Sequence, residues 1–393
     1  MQAEAIGSYR LQRKLASGNM GEVFLAEYVG EAGFRRRVVV KRLYRHLCQH
    51  AEAVRMFQDE AHVLAALNHP NIPQVYDLGL ADEHWYLVIE YVPGHTLAEL
   101  SAAAVRSGAG MPLDAVVSAV EQLCDALHHA HERTDDDGRP MRIVHRDVTP
   151  HNLMVTADGF AKLLDFGVAR TSREESKGGS LKGTLAYMAP EQVRGQRLDK
   201  RSDVFSVGVI LYELTTGVRL FQGGEVEVMT AIVEQDVVPP SRLHSRYPPE
   251  LERIVLTALA RDRAKRYPSA HHLGRALEDY TISRGVMATH RAVARYYGQV
   301  FSREEKRQRT TGRYGAIVSG GTPLPSAKSW PSRVASLHPA VPNASQASLG
   351  DLRSLQGQPP SETVPHDTPD PLRLPGFDAD DDVAPLLLTR QKA

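Results

Sequence analysis

Cysteine is scarce in this sequence. Its only two cysteines, Cys48 and Cys124, lie far apart, and neither belongs to a Cys-x-x-Cys pair. This spacing argues against a zinc site and against a disulfide-stapled scaffold. Both residues are expected to behave as small apolar side chains, so any catalytic chemistry is expected from other residue types.

An excess of charge of either sign is also missing. Lysine plus arginine and aspartate plus glutamate number 47 each among the 393 residues. A balanced chain has no general field that would hold it on nucleic acid or on an acidic membrane. We therefore expect no nucleic-acid partner and look for charged partners at local sites.

Long apolar runs are absent, although 42% of the residues are hydrophobic, which is ample for a core. The N-terminal stretch MQAEAIGSYR has no signal-peptide core, and no apolar run approaches the ~20 residues that span a bilayer. We therefore expect a cytoplasmic protein without a transmembrane segment.

Composition divides the chain into three parts. Residues 9–284 alternate short strand-like and helix-like patterns and are predicted to be globular. Residues 285–310 carry apolar side chains at helical intervals and predict a helical extension that docks on the domain; a basic surface helix that binds a partner or a membrane is the alternative. Residues 311–393 hold half of the 24 prolines, interleaved with Ser, Gly and Asp, and are predicted to be a disordered tail.

The order of patterns within residues 9–284 predicts two lobes. Up to about residue 90, runs such as YRLQRKLA and RRRVVVKRL predict strands, with one helix at AEAVRMFQDEAHVLAALNHP. From about residue 94 helical patterns dominate, and DVFSVGVILYELTTG is apolar nearly all round, which predicts a buried central helix. The predicted fold class is α+β: a small antiparallel β lobe with one helix, joined to a larger α-helical lobe.

A first group of candidate site residues lies in the β lobe. Gly18 and Gly21 in LASGNMGEVF would let bare backbone approach a phosphate, but such glycines are equally common in ordinary loops. Lys41 ends the run RVVVK, and Glu60 lies in the polar gap of the predicted helix's apolar stripe. Together they would aim an ammonium at the phosphates of a nucleotide, whereas singly each is more typical of a surface charge.

A second group lies in the α lobe. Asp147 and Asn152 share the stretch HRDVTPHN, and Asp165 follows in LLDFG after a hairpin turned at ADG. Oxygen ligands from Asn152 and Asp165 suit Mg²⁺, which takes a few protein oxygens together with phosphate oxygens and water. Asp147, kept off the metal, would then accept a hydrogen bond from an incoming hydroxyl. The three groups predict phosphoryl transfer.

From about Tyr9 to Arg284 the chain resembles a bacterial serine/threonine protein kinase of the eukaryotic-like (Hanks) type. The resemblance rests on the Gly-rich loop, Lys41, Glu60, VIEYVPG, HRDxxxxN, DFG, MAPE and SDVFSVG in this order. It implies a bilobal protein-kinase-like fold that uses ATP and Mg²⁺. It further implies transfer of the γ-phosphate to Ser or Thr hydroxyls of protein substrates, with autophosphorylation in the activation loop.

The same resemblance implies roles for further residues. Ile89 would be the gatekeeper beside adenine, with backbone hydrogen bonds to the base from Glu90 and Val92. The apolar side chains that would enclose the ring are Leu15, Val23, Val39 and Met154. Two structural pairings are also implied: Glu191 with Arg266, and Asp203 with the backbone of the catalytic loop, which in this sequence would be HRDVTPHN, residues 145–152.

One position departs chemically from the family pattern. Thr149 stands where the family usually has a lysine that contacts the transferring phosphate. Losing such a stabiliser costs on the order of 10²–10³-fold in rate. We expect His151, four places after Asp147, to replace part of the charge or hydrogen bonding; a loop histidine that faces solvent is the alternative.

Activity is nevertheless expected, because both metal ligands, the candidate base and the Lys41–Glu60 pair are all present. The alternative is a catalytically weak or silent ATP-binding scaffold that recruits a regulatory partner through its tail. Arg146 would pair with a phosphate in the activation loop, where the candidate acceptors are Thr171, Ser172, Ser176 and Ser180. The acidic stretch RTDDDGRPMR, residues 133–142, predicts a solvated turn, with a partner-docking insert as the alternative.

Overall fold

The computed structural model describes residues 4–18, 20–106, 110–166 and 184–301. The predicted tail, residues 311–393, lies outside these ranges. So do the candidate phosphate acceptors Thr171, Ser172, Ser176 and Ser180.

A six-stranded antiparallel sheet forms the smaller lobe, in the order β1-β2-β3-β4-β6-β5. Its strands are β1 (Ala5–Ile6), β2 (Tyr9–Ser17), β3 (Gly21–Val29), β4 (Arg35–Leu43), β5 (Val75–Ala81) and β6 (His84–Glu90). Successive side chains of a strand point to opposite faces. Val38 and Val40 therefore pack on one face of the sheet, while Val39 packs on the other face in a cluster that includes residues of the larger lobe.

One helix, α1 (Ala51–Ala65), packs beside this sheet and ends before Pro70. Its buried face consists of Phe57, Glu60, Ala61 and Leu64. The sequence pattern placed Glu60 in a polar gap of the helix, and this prediction is wrong. Glu60 lies on the inward face and is only 7% exposed. A carboxylate at such a position needs a cationic partner, which Lys41 supplies.

The larger lobe is mostly helical. A small antiparallel sheet joins β7 (Gly94–Thr96), β8 (Leu153–Thr156) and β9 (Ala161–Leu163). The helices are α2 (Leu97–Arg106), α3 (Leu113–His131), α4 (Pro190–Val193), α5 (Lys200–Thr216), α6 (Glu225–Glu234), α7 (Pro240–Leu243), α8 (Pro249–Ala258), α9 (Ala270–Ser283) and α10 (His290–Val300). Among the described residues no helix has the length and apolarity needed to cross a membrane.

Helix α5 is the central helix that the sequence predicted. It begins at the N-cap Asp199, whose side chain accepts the Arg201 N–H, and ends at Gly217, which has φ +70°. Nearly all its side chains are buried, because an apolar surface on every side leaves no face for water. The α+β fold with two lobes is thus confirmed.

Helix α10 lies within the predicted extension, residues 285–310. Val293, Tyr296 and Tyr297 are buried on its inner face, which packs against α3. The Tyr297 hydroxyl lies 2.6 Å from His95 Nδ1 in β7. The helix is therefore attached to the strand that begins the larger lobe.

Candidate active site

One apolar cluster joins the two lobes. Buried Val23 and Val39 come from the sheet, and buried Met154 and Leu164 come from the larger lobe. The cluster contains every apolar residue predicted to surround adenine: Leu15, Val23, Val39, Ile89, Val92 and Met154. Leu164 was not predicted, although its place directly before Asp165, at the end of an apolar run, is a signal that would have found it.

Glu90, predicted to hydrogen-bond adenine through its backbone, already uses its N–H and its carboxylate in contacts within the protein. Its N–H donates to the Gln74 carbonyl at 2.8 Å, and its carboxylate accepts from Lys162 Nζ at 2.9 Å. The N–H of Glu90 is therefore already used, and the backbone group of Glu90 that could bind adenine is the carbonyl, which would accept from the amino group of the base.

Lys41 lies on the face of the sheet that carries the apolar cluster. It is two residues after Val39 on β4 and directly opposite Val23 on β3, so its side chain shares the face of both. Its Nζ lies 2.5 Å from Glu60 Oε1, and the side chains are 23% and 9% exposed. The pair holds a cation at the edge of the apolar cluster.

The glycines of the loop between β2 and β3 have structural duties of their own. The Gly18 N–H donates to the Gly21 carbonyl at 2.8 Å. A Cβ at Gly21 would lie 2.0 Å from the Arg42 carbonyl oxygen, so the pairing of β3 with β4 already requires glycine there. A phosphate-binding role for Gly18 and Gly21 remains a prediction.

Asp203 braces the catalytic loop, as the resemblance implied. Its Oδ2 accepts the His145 N–H and its Oδ1 accepts the Arg146 N–H, both at 2.9 Å. His131 Nε2 lies 2.7 Å from Oδ2. Burial alone would raise the pKa of Asp203, but the hydrogen bond from His131 and the other polar neighbours hold it below its ordinary value. Asp203 is therefore ionised.

His145 links the catalytic loop to the residue before the DFG segment. This role of His145 was not predicted from the sequence. Burial lowers the pKa of its imidazole, so the ring is neutral. Its Nε2 lies 2.9 Å from the Leu164 carbonyl, and its Nδ1 lies 3.3 Å from the Asp147 backbone nitrogen. One tautomer satisfies both contacts, with Nε2–H donating and Nδ1 accepting.

Asp147 and Asn152 are joined within the loop. Asn152 Nδ2 donates to Asp147 Oδ2 at 2.9 Å and to the Asp147 carbonyl at 2.8 Å. The amide nitrogen of Asn152 thereby faces Asp147, and the amide oxygen remains for a metal. This donor set fits a magnesium ion.

The position of Asp165, the second predicted metal ligand, follows from the register of β8 and β9. Leu153 pairs with Leu163, and the next hydrogen bond runs from the Leu164 N–H to the Asn152 carbonyl at 2.8 Å. Asp165 is the residue immediately beyond this bond, with φ +50°. Asn152 and Asp165 therefore stand at the same end of the hairpin.

Thr149 and His151 differ in their surroundings. Thr149 is only 3% exposed, and its carbonyl accepts the Asn152 N–H at 3.1 Å. His151 is half-buried. Burial, assisted by the charge of Arg219, lowers the pKa of His151, so the neutral imidazole is favoured. Of the two roles predicted for His151, hydrogen bonding is therefore favoured over supplying a charge.

The predicted pair of Glu191 and Arg266 is present and buried. Two bonds of 2.7 Å and 2.9 Å join the guanidinium to the carboxylate, and the Arg266 side chain is 0% exposed. Gln192, next to Glu191, donates to the Arg146 carbonyl at 2.8 Å. The pair therefore anchors the segment that adjoins the catalytic loop.

A comparison with protein families identifies the chain. The model of the protein kinase domain matches residues 9–276. The chain belongs to the protein kinase family. This match, together with bacterial relatives that are named serine/threonine-protein kinases, confirms the resemblance to bacterial kinases of the eukaryotic-like type. Two curated relatives and one solved structure describe it further.

The tyrosine-protein kinase MasK of Myxococcus xanthus is 38% identical to this kinase-family chain over 325 residues, covering 80% of the chain and 50% of MasK. The serine/threonine-protein kinase PknB of Mycobacterium leprae is 37% identical over 270 residues, covering 67% of the chain and 41% of PknB. The chain thus spans about half the length of these relatives or less.

The crystal structure of the kinase domain of PknI from Mycobacterium tuberculosis matches the fold with a TM-score of 0.53 at 25% identity. The match covers 71% of this chain and 98% of the PknI domain. The likeness thus extends over the whole of that kinase domain.

Proposed function

We propose that the chain is a protein kinase that transfers the γ-phosphate of ATP to serine and threonine hydroxyls of protein substrates. The observation that carries the proposal is the meeting of two polar pairs at one apolar cluster. The Lys41–Glu60 pair borders it from the β lobe, and the Asn152–Asp147 hydrogen bond lies beside it in the α lobe. Family membership supports the same reaction.

In this proposal the adenine of ATP occupies the apolar cluster between Val39 and Met154. Lys41, held by Glu60, contacts the α- and β-phosphates. Asn152 Oδ1 and the Asp165 carboxylate would hold Mg²⁺, which neutralises phosphate charge when bound. Asp147 accepts the hydrogen bond of the substrate hydroxyl and orients its oxygen toward the γ-phosphate.

The choice of acceptor residue is the finer part of the proposal. The two relatives bear different names, since MasK is named a tyrosine-protein kinase and PknB a serine/threonine-protein kinase. Thr184, in the stretch GTLAYMAPE, matches the substrate-side threonine typical of serine/threonine kinases. We therefore assign serine and threonine as acceptors.

Radiolabelled ATP tests both parts. The full chain incubated with labelled ATP and Mg²⁺ is expected to incorporate phosphate, and phosphoamino-acid analysis is expected to find phosphoserine and phosphothreonine. Asp147→Asn removes the candidate base and Lys41→Ala the phosphate contact, so each is expected to lower incorporation by at least about 10²-fold. Asp136→Asn, in an exposed turn, is the matched control and should behave as wild type.

Equal incorporation by wild type and Asp147→Asn, clearly above background, would exclude the proposed site. Incorporation that stays at background in both proteins would instead favour the ATP-binding scaffold. Phosphotyrosine alone would leave the kinase activity standing and overturn the assignment of serine and threonine.

A further inference from the structure

A cavity lies in the larger lobe, at the start of α5, and no part of the proposed phosphoryl transfer uses it. It encloses about 380 Å³. Five of its lining residues are charged at neutral pH: Arg142, Arg197, Asp199, Lys200 and Arg263. Four cations against one carboxylate make this the lining of an anion site rather than a cation site.

The single carboxylate is already compensated. Asp199 accepts the Arg201 N–H at 2.9 Å and two further bonds from the Arg201 guanidinium, at 3.0 Å and 2.8 Å. Arg263 approaches its Oδ2 only at 3.5 Å. Asp199 therefore neutralises little of the positive charge of the other four charged lining residues.

Two of the arginines have no such compensation. Lys200 pairs with Glu132 at 2.6 Å, but within the described ranges neither the Arg142 nor the Arg197 side chain has an ion-pair partner. Guanidinium groups bind phosphate through two parallel hydrogen bonds, a fixed planar geometry that ammonium groups lack.

The remaining wall is apolar and includes one buried polar residue. Ile143, Val144 and Leu198 line the cavity together with His131. The His131 side chain is 0% exposed, and its Nδ1 has no hydrogen-bond partner among the described residues. An apolar wall beside a cationic rim suits the aliphatic part of a phosphorylated side chain better than a bare inorganic ion.

One arginine of the cavity comes from the long link before the catalytic loop, residues 133–142. Asp135 Oδ1 accepts the N–H groups of Asp137 and Arg139, at 3.0 Å and 2.8 Å. The Met141 N–H donates to the Arg133 carbonyl at 2.9 Å. The link is thus a turn closed by its own hydrogen bonds, and it brings Arg142 to the rim of the cavity.

We propose that this cavity, named the Arg142–Arg197 pocket, is a binding site for a phosphate monoester carried on a phosphorylated protein segment. A cavity of about 380 Å³ lies within the usual range for ligand sites and has room for a phosphorylated side chain with its neighbours. The inference is independent of the proposed catalytic function, because none of the lining residues takes part in phosphoryl transfer.

Occupancy of the pocket has a direct route to the catalytic loop. His131 lines the pocket and contacts Asp203, which accepts the backbone N–H groups of the loop. Ile143 and Val144 line the pocket and immediately precede His145. A phosphate bound in the pocket therefore lies beside residues that are linked to the loop carrying Asp147, His131 through Asp203 and Val144 along the chain.

Methyl NMR of the full chain tests the site itself. The probes are inorganic phosphate, the peptide Gly-Gly-phosphoserine-Gly-Gly and its unphosphorylated form, each titrated with the nucleotide cleft saturated by ADP and Mg²⁺. The Ile143 and Leu198 methyl signals are expected to shift when the phosphopeptide is added. The concentration of inorganic phosphate needed to reach the same shift is expected to be at least 10-fold higher than that of the phosphopeptide. The unphosphorylated peptide is expected to leave them in place.

The variant R142A/R197A is expected to weaken phosphopeptide binding at least 10-fold. Both residues are exposed, so the fold should be kept, and an unchanged methyl spectrum away from the pocket checks this. Arg139→Ala, in the same link with its side chain 79% exposed, should bind as wild type.

Four results would overturn the proposal. They are Ile143 and Leu198 signals that do not move with the phosphopeptide, wild-type affinity in R142A/R197A, and shifts of equal size with the unphosphorylated peptide. Equal affinity for inorganic phosphate and phosphopeptide would be the fourth, since it would assign the pocket to a free phosphate instead of a phosphorylated protein.

Discussion

Burial and hydrogen-bond partners together decide the charge of individual residues around Asp147. His145 is fully buried and its pKa is lowered, so it is neutral, whereas Asp203 keeps its charge because His131 and two backbone N–H groups bind it. The neutral His145 ring donates to the Leu164 carbonyl and accepts from the Asp147 N–H, while Asp203 accepts from the His145 and Arg146 N–H groups. These contacts hold the loop that carries Asp147.

His151 is expected to contribute through hydrogen bonding. A neutral hydrogen bond is worth about 0.5–1.5 kcal/mol, so His151→Ala is expected to lower kcat about 2- to 10-fold. Steady-state kinetics with a fixed protein substrate measures this. An unchanged kcat in His151→Ala, combined with a raised kcat in Thr149→Lys, would show that His151 has no such role.

The Glu191–Arg266 pair is expected to matter most when only one partner is removed. Arg266→Met leaves a buried carboxylate without its cation, and breaking a buried pair in this way costs about 3–5 kcal/mol of unfolding free energy. The double variant Arg266→Met, Glu191→Leu should lose less, because no buried charge remains. Urea unfolding measures both, and equal losses in the two variants would contradict this account.

The same pair predicts a pH dependence. Burial alone would raise the pKa of Glu191, but the hydrogen bonds and charge of Arg266 outweigh it and lower that pKa. The stabilisation is therefore present above the unfolded-state pKa of glutamate and is lost as the pH falls through the lowered folded value. The double variant should lose less stability than wild type on acidification.

At the scale of elements, helix α10 stabilises the domain through its contact with β7. Tyr297→Phe removes the hydroxyl that lies 2.6 Å from His95, and we expect a loss of about 1–3 kcal/mol, because a buried group of His95 then loses this partner. Tyr296→Phe is the matched control. Its hydroxyl is buried without a hydrogen-bond partner among the described residues, so its removal should be neutral or stabilising.

Chemical denaturation of the two tyrosine variants measures the difference. An equal loss in Tyr297→Phe and Tyr296→Phe would mean that the contact of α10 with β7 contributes nothing beyond packing.

The elements themselves were largely predictable from local patterns. The apolar stretch of α5 and the hairpin turned at Gly159 follow from side-chain periodicity and turn chemistry. Glu60 was misplaced because helical periodicity sorts residues by polarity, and a buried charge with a partner from another element breaks that rule. The roles of His131 and Leu164 depend on contacts made across the fold, which a local pattern does not contain.

At the scale of the whole molecule, the two lobes are joined by more than the apolar cluster. Asn71, after α1, donates to the Ala161 carbonyl at 2.7 Å, and its own carbonyl accepts the Leu163 N–H at 2.8 Å. Lys162 of β9 pairs with Glu90 of β6 at 2.9 Å. The hairpin that positions Asn152 and Asp165 is thus tied to the β lobe through β9.

The central claim is that side chains from both lobes hold one nucleotide and one magnesium ion together. The most direct measurement is the affinity for ATP, with and without Mg²⁺, in wild type and in Asp165→Asn. We expect Mg²⁺ to strengthen ATP binding to wild type and to give little or no gain in Asp165→Asn, while ATP without the metal binds both alike. An equal gain from Mg²⁺ in the two proteins would contradict the account.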